Sequence, residues 1–475
     1  MPLKYEDMLR DPIYGYIYVT KLEEDVINTP YFQRLRFIKQ TPGAAFVYPS
    51  ANHTRFEHSL GVMHLAGELA EKLIYRDERL MEKAEGEKDK LIQKVRLTGL
   101  LHDIGHGPFS HVFEEFLNDV NARVNHEDFS ELIIREKIHP ILERHDFDDT
   151  DVIQITDWLR DREYGIGSVV VQSINVDALD YLTRDAYHTG TIEYGWVDVK
   201  RIIDNMLLIR LTAEEEDDLR TNGIVTLREV PERRNLDKAI LAISDRAIIA
   251  VESFFLSRLQ MFKAVYYHRT ARAIERGLVK CMEEIANDVP ILKLFTNMSK
   301  KEELLPHVGE FVSLNDYFLV GKILEKECAE IRAILDRKQR RTAYEKTETA
   351  SVDEFGLYAR SLERRKGFED AIMEKLSEEN IDVRVVLDVP FPLLPINVGK
   401  VYIKYDEEGT DRIAAIRNYG RLDRESAPIL KRMIAQNMLW MIEQRVLADT
   451  DKVEELRKIG NIARSIMEGG PSLHI

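Results

Sequence analysis

Leu101-His102-Asp103-Ile104-Gly105-His106-Gly107-Pro108-Phe109-Ser110-His111 places three histidines and a carboxylate within one short stretch. A hard or borderline divalent metal takes imidazole nitrogen and carboxylate oxygen together. The stretch closes an apolar helical segment, Leu91 to Ile104, in which Leu91, Val95, Leu101 and Ile104 recur at helical spacing. His102 and Asp103 therefore sit where a helix can present them rigidly, with His106 one turn further on. Gly105, Gly107 and Pro108 end the regular helix and let backbone approach a ligand closely.

A metal needs more than two ligands. Upstream, Asn52-His53-Thr54-Arg55-Phe56-Glu57-His58 offers His58; downstream, Asn175-Val176-Asp177-Ala178-Leu179-Asp180-Tyr181 offers Asp177. Both lie in helical-looking sequence that could pack on the His102 helix. Seven of the thirteen histidines, His53, His58, His64, His102, His106, His111 and His126, fall between residues 53 and 126. Imidazole is both a common metal ligand and the usual acid or base near neutral pH. Each feature alone has a plainer reading. A His-Asp pair is often a structural hydrogen bond, His53 and His64 read as exposed helix residues, and Asp180 reads as a helix-interior pair. The joint spacing of His58, His102-Asp103 and Asp177 is what favours a metal centre.

Working outward, Phe56 to Tyr75 is amphipathic, with Leu60, Met63, Leu69, Leu73 and Ile74 near one face, and Arg76–Lys90 reads as a charged connecting loop. Helical periodicity recurs over 128–138, 151–160 and 172–188, and again from Leu236 to about Lys346. Residues 1–28 read as irregular, with extended pieces near Ile13–Val19. Met206–Leu211 and Ile224–Val230 read as a β-hairpin around an acidic loop, Glu214–Asp218. Thr347–Val352 is polar and aperiodic, so a boundary is expected there. Beyond it, Val383, Val385, Leu387 and Val389 alternate, as do Val401, Ile403 and Tyr405, and Arg424 to Met467 reads as helical. The expected organisation is a mostly α protein: a helical core over 1–346 with a small β-hairpin, and a smaller α+β C-terminal lobe over 347–475.

The 475 residues are 44% hydrophobic and 32% charged, which is globular composition. The formal net charge of −16 argues against general nucleic-acid binding, which relies on Lys and Arg. Arg34/Arg36/Lys39, Arg337–Arg341 and Arg364–Lys366 read singly as solvated helix faces. No apolar run approaches the ~18–20 residues that span a bilayer. Met1 to Arg10 is polar and mixed in charge, unlike a secretory signal. Cys281 and Cys328 form neither a disulfide framework nor a thiolate site, and a reducing, cytoplasmic setting is expected.

At these residues the chain resembles the HD-domain phosphohydrolases, and within them the branch of SAM-and-HD-domain dNTP triphosphohydrolases, without a SAM domain. The matching strings are Asp11-Pro12-Ile13, Phe32-Gln33-Arg34-Leu35-Arg36, Ile38-Lys39-Gln40, Arg55 to Val62, His102 to His111, His126-Glu127, Asp177 to Asp185, and Tyr266 with His268. The resemblance covers about residues 5–345. It implies a helical core with a divalent ion (Mg, Mn, Fe, Zn or Co) held by His58, His102, Asp103 and Asp177. It implies hydrolysis of a dNTP to deoxynucleoside and triphosphate. His106, His111, Arg258 and Arg55 would contact phosphates, and Tyr181 and Tyr266 would lie near base and sugar. Gln40 would meet the sugar 3′-OH, and His126 would be the general acid, oriented by Glu127 or Glu114. Such relatives also suggest a nucleotide activator and a homo-oligomer, with Asn28, Arg36, Arg201, Arg246 and Arg341 as effector-site residues.

The chain departs from that branch at Ala178, where a phosphate-contacting lysine is expected, and at Thr41-Pro42-Gly43, which replaces a Leu-Gly-Gly stretch beside the sugar. Asn28 stands where an Asp would read guanine, and Ser244 stands at a second basic effector position. Two other readings stay open. An HD hydrolase could act on a nucleoside monophosphate, a cyclic nucleotide or ppGpp, or the protein could be a nucleotide sensor with vestigial hydrolysis.

Overall fold

The computed structural model describes residues 3–160, 165–170, 174–227, 239–296, 298, 300–349, 362–390, 400–419, 428–435 and 441–469. Among them the strands are β1 (Tyr5–Asp11), β2 (Gly15–Thr20), β3 (Met206–Arg210), β4 (Ile224–Thr226), β5 (Ala239–Ser244), β6 (Arg341–Thr349), β7 (Val385–Asp388), β8 (Tyr402–Glu407), β9 (Thr410–Ala415) and β10 (Met441–Ala448). They form three small sheets: the hairpin β1-β2, a sheet of order β3-β5-β8-β9-β4, and a sheet of order β6-β10-β7. Helices make up most of the rest, so the architecture is the expected helical core with a small hairpin and a mixed lobe.

Three helices carry the site. The first, Arg55–Arg76, opens with Glu57 accepting the backbone N–H of Thr54. The second, Glu85–Leu101, delivers His102 at its C-terminal end. The third, Val176–Thr189, starts at Asn175, whose side chain accepts the Ala178 N–H, and stops at Gly190 in the left-handed conformation. Helix Arg55–Arg76 serves two cores at once. Phe56, Leu60 and Met63 pack with Leu97, Leu100, Ile104 and Phe113, whereas Val62, Leu65 and Leu69 pack with Val176, Leu179, Leu182 and Phe254. The polar centre lies where these two apolar clusters meet.

Several local expectations are overturned. Met206–Leu211 and Ile224 onward do not pair as a hairpin: β3 and β4 are opposite edges of the five-stranded sheet. The acidic "loop" between them is a helix, Ala213–Asn222, because Thr212 and Glu215 close a capping box and the first-turn acids suit a helix N-terminus. The extended run through Val230 and the helix start at Leu236 fall partly outside the described residues, and Ala239–Ser244 is strand rather than helix. Consecutive strands pair antiparallel instead at the N-terminus, β1 with β2, and within the five-stranded sheet, β8 with β9. Arg76–Lys90 is not all loop; it holds a helical turn, Glu78–Met81, and helix Glu85–Leu101 begins within it. The tail contains strand β10 between helices Pro428–Ala435 and Val453–Gly469.

The proposed boundary at 346/347 lies inside β6, and Thr347–Val352 runs beyond the described residues. Tyr344, Phe368, Ile372, Leu387, Val446 and Ile459 share a cluster of their own. Val401, Ile403, Ile416 and Leu430, by contrast, pack with the helical core.

Candidate active site

His58, His102, Asp103 and Asp177 come together from the three helices. His58 Nε2 lies 3.0 Å from Asp177 Oδ1 and 3.6 Å from Asp103 Oδ2. His102 Nε2 lies 3.2 Å from His58 Nε2 and 3.3 Å from Asp103 Oδ1. The remaining separation, His102 Nε2 to Asp177 Oδ1, is 3.8 Å. Among the described residues, His58, His102 and Asp103 form one of two clusters with metal-ligand spacing. The outer nitrogens are engaged elsewhere: His58 Nδ1 lies 2.7 Å from Asp180 Oδ2, and His102 Nδ1 lies 2.8 Å from the Gly99 carbonyl. The outer nitrogens are thus the ones with partners outside the cluster, so each ring in its neutral form carries the Nε2 lone pair inward, the arrangement in which imidazole ligates metal. Two inward imidazole nitrogens flanked by two carboxylates fit a divalent cation well and fit an apolar interior badly.

The electrostatics agree. Burial works against a charged His58, yet hydrogen bonds to Asp177 and Asp180 push it up to about 10. That same negative field attracts a cation. Burial holds His102 below its ordinary range. Asp103 resists burial and lies well below the usual carboxylate range, because Arg55 donates to its Oδ2 at 2.5 Å. Arg55 also donates to Ser110 Oγ at 3.0 Å.

A second group faces Asp103 from the other side. His106 Nε2 is 3.2 Å from Asp103 Oδ1, and the His106 ring stacks on His126 at 4.1 Å between centroids. Gly105 makes this possible, since a Cβ there would collide with the backbone of His126 and Ser130. His126 Nδ1 lies 2.5 Å from Glu114 Oε1, and His111 Nδ1 lies 2.8 Å from Glu114 Oε2. Burial opposes the charge on His126, but Glu114 raises it to about 9. His106 is held well below the imidazole range by burial and by Arg55. The two stacked rings thus differ in charge at neutral pH: His126 protonated, His106 neutral.

Glu127 is not among these groups. It pairs with Arg160 at 3.4 Å, because helix His126–Ile133 turns it to the other side; Glu114 is the partner His126 has. Of the expected substrate contacts, Gln40 is buried with Oε1 unpartnered, Arg258 meets the Tyr181 hydroxyl, and the Tyr266 hydroxyl donates to Asp185 at 2.6 Å. Asp185 also meets His53 Nε2 at 2.7 Å. His53 is therefore a buried residue of the site rather than an exposed helix residue. Arg34, read as solvated, is buried and donates twice to the His106 carbonyl, at 2.6 and 2.8 Å. Neither residue is flagged by periodicity, because each acts through a long-range contact.

Phe109 and Ser110 both have positive φ, 59° and 54°, which bulky residues rarely adopt. The Phe109 N–H donates to buried Asp316 at 2.7 Å and Ser110 Oγ donates to the Lys39 carbonyl at 2.6 Å, and these bonds hold the turn. The effector candidates are all exposed. Arg36 bonds Gln33 and covers Phe56, and Asn28 caps the C-terminal end of helix Lys21–Ile27. Arg201 donates to the Arg246 carbonyl at 2.7 Å. Arg341 begins β6.

Residues 55–185 match the HD domain family and residues 230–395 match the HD associated region. An uncharacterized protein of Methanocaldococcus jannaschii is 29% identical over 461 residues, 95% of this chain and 81% of that one. The deoxynucleoside triphosphate triphosphohydrolase SAMHD1 homolog of Dictyostelium discoideum is 30% identical, over 72% of this chain and 60% of the relative. Human deoxynucleoside triphosphate triphosphohydrolase SAMHD1 is 36% identical over 226 residues, 41% of this chain and 35% of that one. The chain thus spans less than two thirds of the named triphosphohydrolases it matches. A crystal structure of a hypothetical protein from Aquifex aeolicus superposes with a TM-score of 0.64 at 26% identity, covering 95% of this chain and 99% of the other.

Proposed function

The chain is an HD-domain protein, an HD domain followed by an HD associated region, and from that premise we propose that it hydrolyses dNTPs to deoxynucleoside and triphosphate. The observation that carries this reading is the pairing of two centres across Asp103. One is a donor set suited to a divalent ion, and the other is a histidine, His126, seated on the Glu114 carboxylate. His58, His102, Asp103 and Asp177 would hold the ion. A divalent ion bound there supplies Lewis-acid polarisation of a phosphoryl oxygen.

The chain's own residues do the rest. The His126 imidazolium, backed by Glu114, donates a proton to the departing nucleoside oxygen. Arg55, fixed between Asp103 and Ser110, and Arg258 neutralise charge on the phosphates. His106 keeps Nδ1 free of protein partners, and His111 shares Glu114 with His126 at the rim. Gln40 Oε1, buried without a protein partner, is an acceptor for a sugar hydroxyl. Tyr181 and Tyr266, whose rings meet edge to face, are the residues read as lying near base and sugar. Ala178 supplies no cation, so phosphate charge falls more heavily on the arginines.

The enzyme is read as a cytoplasmic homo-oligomer responsive to a nucleotide bound near Asn28, Arg36, Arg201, Arg246 and Arg341. Cys281 and Cys328 are both free and buried, in keeping with a reducing compartment. No described helix is long and apolar enough to cross a membrane.

Product analysis tests the reaction. Purified protein with Mg²⁺ or Mn²⁺ is incubated with the four dNTPs, the four NTPs, nucleoside monophosphates, cAMP and ppGpp, and products are separated by chromatography. Tripolyphosphate with free deoxynucleoside supports the proposal. Phosphate from a monophosphate, AMP from cAMP or pyrophosphate from ppGpp would replace it with the alternative HD chemistry. No turnover of any nucleotide would favour the sensor reading.

A further inference from the structure

The His58 ring is aimed by a network that reaches the N-terminal hairpin. Asp180, fully buried, receives His58 Nδ1 at 2.7 Å on Oδ2. Both its oxygens carry further bonds: Arg184 Nε to Oδ2 at 2.9 Å, Arg184 Nη2 to Oδ1 at 3.0 Å, and the Tyr14 hydroxyl to Oδ1 at 2.8 Å. Arg184 gives its remaining nitrogen to Asp11 Oδ2 at 2.8 Å. Asp11 Oδ1 in turn accepts the backbone N–H groups of Ile13 and Tyr14 at 2.8 and 2.9 Å, which fixes the turn between β1 and β2. Gly61, one turn beyond His58, lets this cluster approach. A Cβ there would stand 2.5 Å from Arg184 Nη2 and closer still to Asp180 Oδ1.

We propose that Asp180 is the positioning residue of the metal centre, and that Tyr14 and Arg184, through the hairpin turn, set how tightly the centre holds its ion. The inference rests on reading His58 as a ligand. A carboxylate accepting Nδ1–H fixes the tautomer with its lone pair on Nε2, fixes the ring plane and strengthens the ligand. An ion pair that merely tied the hairpin to the helices would need Asp11, Asp180 and Arg184 alone. The Tyr14 hydroxyl adds a bond to the oxygen that does not face His58. Beside the bidentate hold of Arg184, it is a second bond on that oxygen and stiffens the pose in which the carboxylate meets the ring.

Co(II) tests this, because its visible absorption reports ligand geometry as well as occupancy. The full-length protein is stripped with a chelator and titrated with Co(II), with bound metal counted by elemental mass spectrometry and the apo melting temperature recorded alongside. Asp180→Asn is expected to bind Co(II) about 10- to 100-fold more weakly, with an altered spectrum. Tyr14→Phe should move the same way by a smaller factor, roughly 3- to 10-fold. Gly61→Ala, which changes no charge, should resemble Asp180→Asn; if it fails to fold, the other two variants decide. Dissociation constants within about twofold of wild type for Asp180→Asn and Tyr14→Phe would overturn the proposal. A lowered melting temperature with unchanged affinity would identify a purely structural pair. Wild-type protein that binds no Co(II), or Asp103→Ala binding as tightly as wild type, would instead overturn the ligand reading beneath it.

Discussion

Glu114 holds two histidines at once, His126 Nδ1 at 2.5 Å and His111 Nδ1 at 2.8 Å, one on each carboxylate oxygen. Because His126 is raised to about 9, its acid form is present throughout the neutral range and is lost as pH rises through about 9. The alkaline limb of the kcat profile is therefore expected near pH 9. Glu114→Gln removes the charge that raises it, so the limb should move down towards the ordinary imidazole value of ~6.5. His126→Ala should keep metal and substrate binding and turn over ~10²–10⁴-fold more slowly. An unmoved limb in Glu114→Gln would assign the proton to another group.

The same pair has a stability consequence. A raised histidine contributes stability that is complete below its unfolded value of ~6.5 and fades as pH rises through its folded value. Wild-type melting temperature should therefore fall between about pH 6.5 and pH 9 more steeply than that of His126→Gln. Parallel curves for the two proteins would show that the pair adds nothing to folding.

Asp103 stands between both centres, so its removal should be felt twice. Asp103→Ala is expected to lose most of its metal, measured by elemental mass spectrometry of purified protein. It should also be less stable by about 3 kcal/mol, since Arg55 stays buried without its carboxylate. Full metal retention would falsify the ligand assignment.

How far the sequence could be read follows from what kind of signal each residue leaves. His58, His102, Asp103 and Asp177 were legible because they sit at fixed offsets on amphipathic helices, and helical periodicity survives in the sequence. Asp180 and Arg184 share the spacing of Asp177's helix, but their partners Tyr14 and Asp11 lie more than 160 residues away, where no local pattern links them. The misplaced hairpin has a similar cause. Met206–Arg210 has strand composition, yet its neighbour in the sheet is β5, and β5 pairs in parallel with β8 from the far end of the chain. Glu127 was a reasonable partner for His126 by adjacency, but successive helix residues point about 100° apart, and Glu114 arrives from a separate helix.

Asp388 joins the C-terminal sheet to the helical core. It is fully buried and accepts Arg272 Nη2 at 2.7 Å and Nε at 3.3 Å, while Arg272 also reaches Glu115 at 2.8 Å. Asp388→Ala is expected to cost about 3 kcal/mol in chemical denaturation, because two buried arginines, Arg272 and Arg445, lose a carboxylate. Lys322→Ala, which breaks an exposed pair with Glu325, should cost no more than about 0.5 kcal/mol. Equal effects from the two would show that burial does not set the worth of these pairs.

Assembly can be tested on a specific face. Tyr187, Ile192, Tyr194, Trp196 and Ile249 are all exposed, Trp196 to 69% and Ile249 to 64%. They belong to helices Val176–Thr189, Ile192–Gly195 and Ile248–Met261 and to the residue that follows the second of these. The three helices pack on one another, and exposed large apolar side chains that fall together mark interaction surfaces more often than isolated ones do. Arg246 lies in the turn just before helix Ile248–Met261, and Arg201 donates to its carbonyl. If a second copy of the chain covers these apolar side chains with a nucleotide phosphate on the two arginines, that ligand spans two chains and stabilises only the assembled form. Light scattering of the full chain across a range of protein concentrations, with and without each dNTP and GTP, should show a dimer or tetramer whose population rises with nucleotide. Trp196→Glu should shift it towards monomer at any nucleotide concentration, whereas Arg246→Ala should abolish the nucleotide response and leave basal association in place. A monomer under every condition would remove the oligomer from the reading. A stable oligomer indifferent to both nucleotide and Arg246→Ala would keep the interface and remove the effector site.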